Sequence, residues 1–77
     1  PNPTKGIIHL EFDELLNSDD ARFELYDVTG QLLFLTKLAK GKNYFSFDFS
    51  NLSKGIYFYK CNYDKDSESK GKIVLVP

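Results

Sequence analysis

The alternation of apolar and polar residues along short segments is the feature that most constrains the fold of this chain. Phe45, Phe47 and Phe49 alternate with more polar neighbours, which is the pattern of a β-strand that buries one face. Further apolar runs, bounded by turn-forming residues, recur along the chain, and no long stretch keeps the spacing of an amphipathic helix. The segments predicted as strands are 7–12, 21–28, 31–38, 44–49, 56–63 and 72–76. The sequence therefore predicts an all-β domain.

The spacing of these segments, about 8–12 residues, favours an immunoglobulin-like β-sandwich of six to seven antiparallel strands in two sheets. Gly30, Gly41 and Gly55 stand in connections where a positive φ is expected. The run 31–38 is apolar almost throughout, so we expect neighbours on both of its faces. The charged stretch 64–70 lacks apolar residues and is predicted to be a hairpin tip.

Length and charge exclude several classes of function. The chain has 77 residues, enough for one small domain, and we interpret residues 1–77 as a single domain cut from a larger protein. Ten basic and eleven acidic side chains give no positive surface of the kind that binds nucleic acid or an anionic membrane. No apolar run is long enough to span a bilayer, so membrane insertion is not expected. The single cysteine cannot form an internal disulfide bond.

Few residues could carry catalysis. His9 is the only histidine, and Glu11 lies two positions further along the same predicted strand, hence on the same face. A base and its orienting carboxylate could be arranged in this way, with Cys61 or a serine from another strand as the nucleophile. Cys61, however, shares the face of Tyr57 and Tyr59, where a small apolar side chain fits equally well. We therefore expect a buried cysteine, an exposed histidine, no enzymatic activity and no cofactor.

Two weaker patterns concern ligands. Asp64, Asp66 and Glu68 alternate as calcium ligands can, but they lack the later glutamate and the turn glycine of a helix–loop–helix calcium site. We expect a solvated hairpin tip and no metal site. Tyr44 and Phe58 are predicted to be exposed and could stack on sugar rings. A carbohydrate-binding or adhesion module of a secreted enzyme is therefore the alternative function.

Four segments, taken in order, point to a specific family. They read PNPTKG at residues 1–6, LYDVTGQL at 25–32, FSNLSKGIY at 49–57 and GKIVLVP at 71–77. In order and separation they resemble the C-terminal sorting domain, type A, of the type IX secretion system, and the likeness covers essentially the whole chain. The residues that carry the resemblance are Pro1, Asn2, Pro3, Gly6, Asp27, Gly30, Leu52, Gly55, Tyr57, Gly71, Lys72, Ile73, Val74, Leu75 and Val76.

Each segment also has a physical interpretation as part of the fold. Asp27 can accept hydrogen bonds from the turn that contains Gly30. Leu52 is an apolar residue in a predicted loop, so we expect it to close one end of the sandwich. Gly55 permits a tight turn, after which Tyr57 can enter the core with its hydroxyl bonded to backbone, in the manner of a tyrosine corner.

The resemblance implies a non-enzymatic address. A domain of this family sits at the C-terminus of a cargo protein, passes through the periplasm in transit, and directs the cargo across the outer membrane to the cell surface or the medium. The partners implied are the type IX translocon and its shuttle components, the cargo domain upstream in cis, and a sortase-like cysteine peptidase that removes the sorting domain.

The last predicted strand is the expected recognition element. The segment 72–76 is short and terminal, so it could offer unpaired backbone groups for strand addition by a partner. An apolar edge of this kind would also permit a dimer of the chain.

Overall fold

The strands of the chain form two sheets. In the computed structural model, which describes residues 4–64 and 67–77, the strands are β1 (Ile7–Glu11), β2 (Arg22–Tyr26), β3 (Leu32–Lys37), β4 (Tyr44–Asp48), β5 (Gly55–Asp64) and β6 (Ser67–Leu75). All pairings between these strands are antiparallel. The prediction of an all-β sandwich with six strands in two sheets is confirmed. The described residues contain no helix long and apolar enough to cross a membrane.

The two sheets differ in width. β1 and β4 make a two-stranded sheet, and the other four strands make a sheet in the order β3-β2-β5-β6. The register places Ile8 opposite Phe47 in the smaller sheet, and Phe23 opposite Cys61 in the larger one. These four side chains point toward the space between the sheets, because residues two apart share one face of a strand.

Aromatic side chains fill the space between the sheets. Phe23, near the middle of β2, is 1% exposed, and its ring centroid lies 4.7 Å from that of Phe47 on the facing sheet. Burial of such large apolar surfaces is the main favourable contribution to folding in a domain of this size. The buried apolar residues are Ile8, Leu16, Ala21, Phe23, Leu25, Leu38, Phe49, Tyr57, Cys61, Ile73 and Leu75.

The expectation that β3 is covered on both faces is wrong. β3 is an edge strand of the larger sheet, with no strand beyond it in the part of the chain that the structure describes. Phe34 packs against the core, whereas Leu32, Leu33 and Leu35 are 45%, 39% and 54% exposed. A uniformly apolar run does not distinguish an edge strand from a central one, because the alternation that reports one-sided burial is missing.

The charged stretch 64–70 is largely strand rather than a hairpin tip. β5 and β6 extend into it from both sides, and residues 65 and 66 lie outside the described residues. Glu68 forms ion pairs with Lys60 at 3.5 Å and with Lys70 at 3.4 Å. Pairing with β5 therefore extends β6 through polar residues, since one face of an antiparallel sheet can remain in water.

Candidate functional site

Three of the motif-like segments meet at one end of the larger sheet. The turn between β2 and β3, residues 27–31, lies at the same end as the start of β5 and the finish of β6. This follows from the antiparallel register, in which Tyr26 is opposite Phe58 and Gly55 is opposite Leu75. Segments that are far apart in the sequence are therefore neighbours in the fold.

The N-terminal segment joins the two sheets at this same end. The N–H of Thr4 donates to the carbonyl of Val74 and the carbonyl of Thr4 accepts from the N–H of Val76, each at 2.9 Å. Thr4 thus adds a short parallel bridge beside β6. Two residues later the carbonyl of Gly6 accepts a hydrogen bond from the N–H of Phe49 at 2.8 Å. The first segment is therefore bonded to both the third and the fourth.

We call this part of the sandwich the motif end. It comprises residues 4–6, 27–31, 49–57 and 73–77, and it contains a part of each of the four segments. The site residues predicted from the sequence that lie outside the described part of the chain are Pro1, Asn2 and Pro3.

Thr4 is a member of the motif end that sequence reasoning missed. Its hydroxyl donates to the carbonyl of Ile7 at 3.0 Å and accepts from the N–H of Gly6 at 3.2 Å. These bonds shape the entry into β1. The signal for this role is present in the sequence, because a threonine shortly before a glycine favours a local turn of this type.

Asp27 organises the turn between β2 and β3. Its Oδ1 atom accepts hydrogen bonds from the N–H of Thr29 at 2.8 Å, the hydroxyl of Thr29 at 2.6 Å and the N–H of Gln31 at 3.0 Å. These bonds, the one from the Thr29 hydroxyl above all, hold the pKa of Asp27 below its usual value. Gly30 has a φ of +89°. The roles predicted for Asp27 and Gly30 in this turn are confirmed.

Leu52 and Tyr57 close the sandwich at the motif end. The side chain of Leu52 is partly buried and packs against the core. Tyr57 is buried, and its hydroxyl donates to the carbonyl of Ser53 four residues earlier. Gly55, which lies between them, has a φ of +149°. The expected tyrosine corner is therefore present, with the motif glycine at its turn.

The packing of β6 explains several residues of the fourth segment. The ring of Tyr59 lies over Gly71, where an added Cβ would come within 2.5 Å of a ring carbon, so the position favours glycine. Ile73 and Leu75 are 4% and 5% exposed and belong to the core, while Lys72 is exposed. The alternation of the segment thus reflects an inner and an outer face.

The C-terminal edge of β6 is not free. The carbonyl of Val74 and the N–H of Val76, which point away from β5, are both bonded to Thr4. The expected row of unpaired backbone groups on the last strand is therefore wrong at this end. The reason is that the N-terminal segment, which no local sequence pattern places next to β6, occupies this edge.

The structure separates the residues considered for catalysis. Cys61 is 0% exposed in the core, whereas His9 is exposed on the outer face of the smaller sheet. The Nδ1 atom of His9 lies 2.6 Å from the hydroxyl oxygen of Tyr44, and the two rings are stacked. The expected burial of the cysteine and exposure of the histidine are confirmed, and the two side chains do not share a site.

Burial raises the pKa of Cys61 to about 11. We expect the folded domain to resist thiol labelling at neutral pH, while the chain unfolded in urea reacts as a free cysteine does. The unfolded thiol ionises near its ordinary pKa of 9.0, so the free energy of unfolding falls as the pH rises from about 9 to about 11. Labelling followed by mass spectrometry tests the protection of the thiol, and equal labelling rates with and without urea would contradict it.

The residues considered for metal or sugar binding do not come together in the described ranges. Glu68 is paired with two lysines, Asp66 lies outside those ranges, and no group of three or more His, Cys, Asp or Glu side chains within them is placed to hold a metal ion. Tyr44 and Phe58 are 49% and 44% exposed, but they belong to different sheets and lie on opposite outer faces. One sugar could not stack on both rings.

A comparison with known protein families identifies the chain. A family model described as a secretion system C-terminal sorting domain matches residues 1–76. The chain belongs to this family of type IX sorting domains. No curated protein matches the chain. The family of the sorting domain is not an enzyme family, and membership implies a signal for export to the cell surface or the medium through the type IX machinery.

Proposed function

We propose that the sorting domain acts as a label on a cargo protein, and that the type IX machinery recognises this label at the motif end. The observation that supports the proposal is the convergence of four segments, widely separated along the chain, on one end of the sandwich. A binding partner that contacts this end would meet all four segments at once, without any reactive group in the domain.

Exposed polar residues at the motif end favour recognition over a purely structural role. Asn51 and Lys54 lie on either side of the partly buried Leu52 in the connection between β4 and β5, and both are exposed. Neither side chain takes part in an ion pair or a hydrogen bond of the described residues. Packing explains Leu52 and Tyr57, but it does not explain why these two polar residues accompany them.

The route of the cargo follows from this role. The cargo precedes the sorting domain in the same polypeptide, and residues 1–77 constitute the sorting domain as a single unit. Cargo and sorting domain pass through the periplasm together. The translocon and its shuttle components then bind the motif end, and the cargo crosses the outer membrane. A sortase-like cysteine peptidase removes the domain by hydrolysing a peptide bond between it and the cargo, which stays at the cell surface or is released.

A fusion of residues 1–77 to the C-terminus of a periplasmic reporter tests the proposal. In a strain with an active type IX system, we expect most of the reporter outside the cell, because the domain supplies the address. In an isogenic strain without the translocon, we expect the reporter to remain periplasmic. Cell fractionation measures the distribution, and an intact, folded fusion retained in the periplasm of the competent strain would contradict the proposal.

A matched pair of double variants in the same fusion tests the motif end. Asn51→Ala with Lys54→Ala removes exposed side chains there, and Asn17→Ala with Lys40→Ala removes the same residue types, also exposed, at the other end of the sandwich. We expect export to fall about tenfold in the first, equivalent to about 1.4 kcal/mol of binding free energy, and to be unchanged in the second. Equal export of both variants would place recognition elsewhere.

A further inference from the structure

An open groove of about 910 Å³ runs along the side of the sandwich, between β1 and the inner face of β5 and β6. One wall consists of β1 and the segment that follows it, residues 9–17. Tyr59, Tyr63 and Ser69 of the larger sheet form the floor. The groove lies outside the motif end, so the function proposed above does not use it.

The groove exists because the sheets have unequal widths and because the inward-facing side chains in the first half of β6 are small. The smaller sheet ends at β1, with no further strand in residues 4–64 and 67–77, while the larger sheet continues to β6. Along β6 the inward-facing residues change from Leu75 and Ile73 to Gly71 and Ser69. No bulky side chain of β6 therefore fills the space that a third strand of the smaller sheet would cover.

One edge of β1 is used by β4. The carbonyl of Gly6, just before the strand, accepts from Phe49, and the N–H of Phe12, just after it, donates to Asn43. In an antiparallel pair the residues that bond to the partner strand alternate with residues whose backbone groups point the other way. The even-numbered residues of β1 therefore bond to β4, and the odd-numbered residues do not.

The other edge of β1 faces the groove. Ile7, His9 and Glu11 direct their N–H and C=O groups toward this side. The hydroxyl of Thr4 donates to the carbonyl of Ile7 at 3.0 Å, so the N-terminal segment covers the beginning of the edge. The backbone of His9 and Glu11 lies beyond this cover, and no strand among the described residues pairs with it.

The groove is acidic along its rim. Glu11, Asp13, Glu14 and Asp64 line it, and no lysine or arginine does so among the residues that the structure describes. Glu11, Asp13 and Glu14 form no ion pair within the described chain. Leu15, beside them, is 61% exposed. A free backbone edge is thus combined with a floor that contains two tyrosine rings and with a concentration of negative charge.

We propose that this groove binds an extended, basic segment of another protein, which adds to the smaller sheet as a third strand beside β1. Main-chain hydrogen bonds to His9 and Glu11 supply affinity, and alternate side chains supply selectivity. Small apolar side chains of the segment face Tyr59 and Ser69, and its lysine or arginine side chains lie near the carboxylates of the rim. A second copy of this chain does not suit the groove, because its own β1 edge and the residues after it, 7–14, carry three carboxylates and no lysine or arginine to pair with the rim.

Two peptides test the charge requirement on the unmodified domain. The probe is a peptide of about nine residues that alternates lysine and valine, and the control alternates glutamate and valine. Fluorescence anisotropy at low salt measures binding. We expect the lysine peptide to bind at least about tenfold more tightly than the glutamate peptide, and added salt to weaken it. Equal affinities, or no binding of either peptide at about 1 mM, would overturn the proposal.

Methylated peptides test the backbone pairing, again on the unmodified domain. Methylation of alternate amide nitrogens removes the hydrogen-bond donors from one edge of an extended peptide and leaves the other edge intact. Of the two lysine–valine peptides methylated in this way, we expect one to lose affinity at least about tenfold and the other to bind like the parent. Equal affinities of the two methylated peptides would contradict strand addition.

A matched pair of proline variants tests the edge of β1. His9 and Ser46 lie opposite each other in the register, and each directs its N–H away from the partner strand, His9 toward the groove and Ser46 toward the far edge of β4. Proline is tolerated in an edge strand where its position makes no ladder bond. We expect about a tenfold loss of affinity for the lysine peptide in His9→Pro and none in Ser46→Pro or His9→Ala.

The proline variants also separate the occupants of the groove. If both folded proline variants lost peptide binding, or neither did, the edge of β1 would not be the binding element. If the domain dimerised without peptide and His9→Pro abolished the dimer, the occupant would be a second copy of the chain, and the proposal of a basic partner segment would be overturned. Analytical ultracentrifugation distinguishes these results.

Discussion

Replacing Gly6 with alanine should destabilise the sorting domain by about 3 kcal/mol. Gly6 is buried and has a φ of +137°, a conformation that residues with a Cβ rarely adopt. An added Cβ would also lie 2.7 Å from the Cα and 2.8 Å from the N of Ser50. Both are backbone atoms, so no change of side-chain rotamer relieves the clash. Urea unfolding followed by circular dichroism measures the change.

Gly55→Ala is the matched control for this substitution. Gly55 has a similar φ of +149°, but nothing lies within 4 Å of the position of its Cβ. The control therefore keeps the conformational strain and omits the clash, and we expect it to cost about 1 kcal/mol. If the two variants unfolded at the same urea concentration, the close approach of Gly6 to Ser50 would not contribute to stability.

The effect of Gly6→Ala should extend to the arrangement of the motif end. The carbonyl of Gly6 accepts a hydrogen bond from the N–H of Phe49, and the backbone of Thr4, two residues earlier, is hydrogen-bonded to β6 and the residue after it. A shift of the backbone at Gly6 therefore separates the first segment from the third and the fourth. The presence of Gly6 in the sorting motif is therefore explained by the contact between two segments as well as by the turn in which it lies.

Local patterns in the sequence predict the parts of the fold that depend on one-sided burial or on turn geometry. The alternation of Phe45, Phe47 and Phe49 predicts β4 and the face that it buries, because the side-chain period of a strand is two. Gly30 and Gly55 predict turns, because glycine readily adopts the positive φ values that other residues avoid. Both have a positive φ in the structure. Tyr57 predicts a bond to nearby backbone, because a buried hydroxyl needs a partner.

The features that depend on distant pairing are not visible in the sequence. Residues 67–70 are strand because β5 lies beside them, although their own composition is that of a loop. Leu32 and Leu35 are exposed because the sheet ends at β3, and nothing in their own segment records that end. The competing principle in each case is tertiary context, which overrides local preference in β-sheets.

The same limit applies to the candidate site. Asp27, Leu52 and Tyr57 can be selected from the sequence, and the physical role of each is confirmed. Their meeting at one end of the sandwich depends on the register between β2 and β5, and the contribution of Thr4 depends on a bridge that spans almost the whole chain. The sequence therefore predicts members of the motif end such as Asp27, Leu52 and Tyr57, but it predicts neither the role of Thr4 nor the arrangement of the segments.

Replacing Phe23 with alanine should have the largest effect on stability, a loss of about 4 kcal/mol. Phe23 is 1% exposed, and its ring centroid lies 4.7 Å from that of Phe47, 5.9 Å from that of Tyr59 and 6.3 Å from that of Phe49. Truncation therefore leaves a cavity between the two sheets and removes contacts with both. Because small domains are stable by only about 5 kcal/mol, the variant should keep only about 1 kcal/mol, at which about 15% of the chains are unfolded in buffer.

Phe58→Ala is the control that separates loss of the core from loss of an aromatic ring. Phe58 is 44% exposed on the outer face of the larger sheet, so the same truncation there leaves no cavity, and we expect it to cost about 1 kcal/mol or less. Urea unfolding of both variants tests the difference, and similar midpoints would contradict the assignment of Phe23 to the centre of the core. Loss of export in Phe23→Ala would say nothing about recognition, because the motif end is assembled only in the folded chain. Variants that test recognition must therefore change exposed residues, such as Asn51 and Lys54, whose removal leaves the core intact.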